Sequence, residues 1–156
     1  MQVNDILVPE RTLAQVEGVS KKRVLEIISN LIAISQPNLS SRDIFESLVA
    51  RERLGSTGLG HGVAIPHSRL EHLEQPLGAL VVLSQPINFD TLDGEPVDIF
   101  FGLFVPKEGT QDHLELLSQL AELLSDESVR KKMRLANSDE QLYEIAKRHP
   151  SFLIGR

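Results

Sequence analysis

A chain of 156 residues, 41% apolar and 24% charged, is long enough for one domain with a sizeable core and short for two. It has no cysteine, which excludes a disulfide framework, thiol chemistry and thiolate–metal sites, and fits an intracellular setting. The net charge of −6 is spread along the chain and argues against nucleic acid as a partner.

The opening residues, MQVNDILVPERT, carry charge and proline where a signal peptide would have an apolar core, and they read as a short arm. No apolar run approaches the roughly 20 residues of a bilayer span, so a cytoplasmic protein is expected. With no Trp, one Tyr and six Phe, the core is expected to consist of Leu, Ile, Val and Ala. Ser20 opens a helix whose Val24, Ile27, Ile28 and Leu31 recur at helical spacing, and Gln36-Pro37 ends it. Ser40 or Ser41 opens a second, with Ile44, Phe45, Leu48 and Val49 inward, running out at Gly55.

GSTGLGHG (55–62) places four glycines in eight positions, a loop that must take positive φ or pass close to a neighbour. VAI (63–65) reads as a short strand stopped by Pro66, with Ser68 and Arg69 in a following loop. Leu77 to Leu83 and Val97 to Val105 read as central strands buried on both faces, with INF (87–89) as a short edge strand between them. Thr110 is the expected cap of a helix with Leu114, Leu117, Leu120, Ala121 and Leu124 inward. Asp126 starts a short charged helix, and Ser138 with Gln141 forms a capping-box start for the last. The whole reads as one α/β domain, a mixed and mostly parallel sheet with helices on both faces.

The glycine loop invites a nucleotide reading, which fails. Gly55 and Gly60 have Walker A spacing, but His61 and Gly62 stand where Lys and Ser/Thr are required. The dinucleotide fingerprint fails as well, because Val63 replaces its third glycine. None of the five histidines (His61, His67, His72, His113 and His149) forms a metal-binding pattern, though one assembled in space stays open. His67 stands out by context: it follows a proline that ends an apolar strand, beside the glycine loop. On these residues alone a surface histidine is an equal reading. His113 near a helix start, where free N–H groups favour an anion, tips the pair toward an anion site with a nucleophile.

LGSTGLGHGVAIPHSRL (54–70) resembles the active-site motif of the enzyme IIA domains of the fructose/mannitol phosphotransferase type. The histidine that this family phosphorylates corresponds to His67. The family's second histidine, 46 residues on, falls on His113, and its arginine, 16 residues before, falls on Arg51. VNDILVPE, SKKRVLEIISNLIA and INFDTLDGEPVDIFFGLFVP are similar to the nitrogen-regulatory branch.

The resemblance implies a free-standing IIA domain over residues 1–156, with its core at about 5–149, not fused to IIB or IIC. It implies that His67 accepts phosphate through Nε2 from an HPr-like carrier, with a backbone carbonyl orienting the ring. His113 then donates a hydrogen bond to the phosphoryl group. Arg51 either contacts it or lies at the rim, and the amides of Ser56, Thr57 and Gly58 are candidates to cradle it. No cofactor and no metal are expected. Apolar candidates for the docking face are Leu54, Leu59, Val63 and Leu70, any of which is equally a core residue. The phosphorylation state would regulate target proteins, with kinases and potassium transporters among those the family suggests. Two other functions stay open: a sugar-specific IIA passing phosphate to a IIB domain, and an adaptor never phosphorylated on His67.

Overall fold

The computed structural model describes residues 3–108 and 110–148. Each expected helix start with a described cap is made by the side chain that its chemistry favours. The Ser20 hydroxyl accepts the Arg23 amide and opens α1 (Lys21–Ser35), and Ser40 does the same for Asp43 at the head of α2 (Ser41–Leu54). Asp126 caps α4 (Glu127–Leu135), and Ser138 accepts the Gln141 amide at α5 (Asp139–Arg148). The remaining helix, α3 (Thr110–Leu124), has Thr110 as its first residue where that residue was expected as the cap; its side chain and His149 lie outside the described residues.

Six strands form one sheet: β1 (Thr12–Val16), β2 (Gly58–Gly60), β3 (Val63–Ala64), β4 (His67–Leu70), β5 (Leu77–Ile87) and β6 (Val97–Pro106). The order is β1-β5-β6-β3-β2, with β4 also on β6. Pairings of β1 with β5 and of β3 and β4 with β6 are parallel, whereas β5–β6 and β2–β3 are antiparallel. The sheet is mixed as expected, but its longest ladder, β5–β6, is antiparallel.

The β6 pleat sends Ile99, Phe101, Leu103 and Val105 into a core shared with α3, α4 and α5, and Phe100 and Phe104 into a second core beneath α1 and α2. Helices thus cover both faces. Gly102 is required on the second face: a Cβ there would stand 2.6 Å from Ile28 Cγ2, so α1 could not lie as close.

Several expectations are corrected. The N-terminal arm contains β1, and the glycine loop contains β2. Ser68 and Arg69 continue a strand, because β4 resumes pairing with β6 at His67. Of INF, only Ile87 is in a strand, as the last residue of β5 opposite Val97. The inner stripe of α3 is Leu116, Leu120, Leu123 and Leu124, while Leu114 is 58% exposed. The core also uses aromatics: Phe89, Phe100, Phe101 and Phe104 are all fully buried.

Arg11 ties the N-terminal segment to the sheet. It is buried, and its guanidinium donates to Gly78 O at 2.8 Å, Ile6 O at 2.7 Å and Ser35 Oγ at 2.8 Å. Arg11→Met should therefore remove three hydrogen bonds, with Ile6 O keeping only the Gly78 amide at 3.0 Å, and cost about 3 kcal/mol in urea unfolding, against about 1 kcal/mol or less for Ser35→Ala. Equal midpoints for the two variants would remove this anchor.

Candidate active site

The line of strand beside β6 is broken once. β3 ends at Ala64, Ile65 and Pro66 step out of the ladder, and β4 begins at His67. Pro66 has no N–H to give, but its carbonyl still accepts the Leu103 amide at 2.9 Å and holds the break against β6. The Ile65 amide donates back to Thr57 O at 3.0 Å, and its carbonyl turns to the His67 ring, with Nδ1 at 2.7 Å.

On the opposite side of the ring, Arg51 Nε donates to His67 Nε2 at 3.3 Å. An arginine has only donors, so Nε2 must carry the lone pair and Nδ1 the proton. The two contacts assign one tautomer to His67. Arg51 also donates through Nη1 to Gly55 O at 2.9 Å, which closes the end of α2. His113, on the first turn of α3, completes the cleft, its ring centroid 5.3 Å from that of His67 and its plane inclined by 57°. It is buried, and its Nδ1 has no hydrogen-bond partner among the described residues.

Both imidazoles are held below the ordinary histidine pKa. For His67, burial dominates; the Ile65 carbonyl opposes it, and the Arg51 charge adds to it. For His113, burial comes first, followed by His67, Arg69 and Arg51. A neutral imidazole whose Nε2 lone pair meets only an arginine N–H, beside cationic side chains, has the chemistry to take up an anionic group.

The cleft is lined by Ala50, Arg51, Leu54, His67, Ser68, Arg69 and His113. His67, His113 and Arg51 therefore converge. Ser56, Thr57 and Gly58 do not line it: the Gly58 amide donates to Ser56 Oγ, and the Thr57 hydroxyl donates to Glu52 Oε1. Their polar groups hold the hairpin at the end of α2. Leu54 and Leu59 are exposed, at 84% and 46%, whereas Val63 and Leu70 belong to the core.

Arg69 was absent from the expected site, and the strand explains why it belongs there. In β4, residues 67 and 69 share a face, while Ser68 and Leu70 turn inward and are buried. Recognising a strand after Pro66 would have placed Arg69 beside His67. Among the described residues, no group of three or more His, Cys, Asp or Glu could hold a metal ion.

Residues 5–149 match the family model of the phosphoenolpyruvate-dependent sugar phosphotransferase system, EIIA 2. The chain belongs to this EIIA type-2 family. Within it, the chain is 50% identical over 145 residues to a nitrogen regulatory protein of Pseudomonas aeruginosa, covering 93% of this chain and 94% of that one. The crystal structure of nitrogen regulatory protein IIA-Ntr from Neisseria meningitidis superposes with a TM-score of 0.86 at 42% identity, covering 92% of this chain and 98% of that one. IIA mannitol from Escherichia coli shares the fold alone, with a TM-score of 0.74 at 17% identity, over 90% and 98% of the two chains.

When followed by NMR, His67 and His113 should titrate below about 6.5. Arg51→Gln should raise the His67 value, because it removes a positive charge. Since the unfolded chain takes up these protons first, native stability should fall as pH drops through about 6.5. An unchanged His67 titration in Arg51→Gln would disconnect the guanidinium from the ring.

Proposed function

We propose that this protein is a regulatory histidine phosphocarrier that accepts a phosphoryl group on His67 Nε2 from the phosphohistidine of an HPr-like carrier. The observation that carries this reading is the His67 tautomer: the Ile65 carbonyl takes Nδ1–H, and the lone pair of Nε2 faces the cleft that holds His113, Arg51 and Arg69. In the transfer, the Nε2 lone pair forms the new N–P bond as the donor's N–P bond breaks and its electron pair returns to the donor imidazole. The positive charge that develops on the His67 ring is shared through Nδ1–H with the Ile65 carbonyl.

One phosphoramidate replaces another, so the step is nearly balanced and reversible. The protein's contribution is position and electrostatics. Arg51 exchanges the ring nitrogen for phosphoryl oxygens, and His113 donates to those oxygens from the first turn of α3. No metal enters the scheme.

The regulatory reading, in which target proteins respond to the phosphorylation state, rests on the relatives named nitrogen regulatory protein. A sugar-specific reading, with onward transfer to a IIB domain, draws on the fructose-specific EIIA component of Haloferax volcanii, 32% identical over 127 residues.

Incubation with a phosphorylated HPr-like donor should give acid-labile label on the wild type and none on His67→Ala. His113→Ala should fold normally and accept label about 100-fold more slowly. Label retained in His67→Ala would overturn the assignment. Rapid passage of label onto a IIB domain would favour the sugar-specific reading.

A further inference from the structure

Arg51 and Glu52 are consecutive residues in the last turn of α2. Arg51 meets the His67 ring directly, at Nε2. Glu52 does not line the cleft, and its side chain is only 4% exposed. A carboxylate in such a place costs free energy unless its oxygens are engaged. Oε2 lies 3.9 Å from Lys21 Nζ, and Oε1 accepts the Thr57 hydroxyl.

Thr57 carries that hold onward. It is buried, and while its hydroxyl is tied to α2, its carbonyl accepts the Ile65 amide at 3.0 Å. The Ile65 carbonyl in turn accepts His67 Nδ1–H at 2.7 Å. Ile65 lies between β3 and β4, so its amide bond to Thr57 takes the place of a ladder bond. The contacts from Glu52 through Thr57 and Ile65 thus end on one ring nitrogen, and the contact from Arg51 ends on the other. Because both begin in one turn of helix, a displacement of α2 carries them together, and the ring and the arginine keep their register.

We propose that Glu52 and Thr57 are positioning residues for His67, holding the Nδ1 side of the ring through Ile65 from the same turn that places Arg51 at Nε2. The catalytic consequence rests on the phosphocarrier reading; the hold on the ring does not.

The test uses side-chain ¹⁵N NMR of His67 in the whole chain, first without any donor. Thr57→Val keeps the shape of the side chain and removes the hydroxyl, and Thr57→Ser keeps the hydroxyl. Glu52→Leu removes the acceptor, and Glu52→Gln keeps it. In Thr57→Val and Glu52→Leu, Nδ1–H should exchange with water several-fold faster than in the wild type. His67 should also titrate lower in both, since the Ile65 carbonyl raises its pKa. A general loosening that admitted water would move that titration the other way, because burial is what lowers it most. Thr57→Ser and Glu52→Gln should keep the wild-type exchange. Arg11→Met, whose contact with Gly78 is separated from His67 by β6, should leave the ring unchanged. With a phosphorylated HPr-like donor at saturation, Thr57→Val should accept label about tenfold more slowly, with an unchanged half-saturating concentration, and Thr57→Ser should recover the rate. Wild-type exchange in Thr57→Val, an upward shift of its His67 titration, or no rescue by Thr57→Ser would each overturn the proposal. If the wild type accepts no label, the phosphocarrier reading falls, and the ring measurements still decide this one.

Discussion

The line of strand beside β6 gives that neighbour the carbonyls of Gly62, Pro66 and Leu70, so the carbonyl of Ile65 points to the other side, where it meets His67 Nδ1 at 2.7 Å. Ring orientation, tautomer and the direction of the Nε2 lone pair all follow from that one acceptor. The apolar core on both faces of the sheet keeps the backbone around it from relaxing.

Around this fixed ring the polar groups come from separate elements. Arg51 arrives from the last turn of α2, Arg69 from β4 and His113 from the first turn of α3. Among the described residues, no carboxylate lines the cleft. The same arrangement that depresses both imidazole pKa values therefore favours an incoming anion, since cations and burial disfavour added protons and leave negative charge as the one welcome addition.

The parts of this design that were legible in the sequence are those that local chemistry decides. Ser20, Ser40, Asp126 and Ser138 cap helices because their hydroxyl and carboxylate groups reach amides two or three residues away. β1 was not legible, since Thr12–Val16 becomes a strand only through parallel pairing with β5, some seventy positions later. β4 was obscured because its inward residues are only Ser68 and Leu70, too short and too polar a pattern to announce a strand. In α3, the leucine-rich run offers two overlapping stripes, and only packing against the sheet selects Leu116, Leu120 and Leu123. The convergence of His67, His113 and Arg51 was anticipated from spacings within a recognised motif. The engagement of the Gly58 amide was not, because it depends on the Ser56 hydroxyl two residues before it turning back to accept it.

Arg51 has one guanidinium and two acceptors, the lone pair of His67 and the carbonyl of Gly55. An Nε2 bonded to any substituent no longer accepts that N–H, so the arginine's contact and a modified ring exclude each other. The end of α2, with the exposed Leu54 beside it, shares this guanidinium with His67 Nε2. The molecule thus contains a mechanical exclusive-or: a change at a single nitrogen removes one of the two contacts that hold this arginine, and the outer surface next to the cleft is the nearest part of the protein to register it.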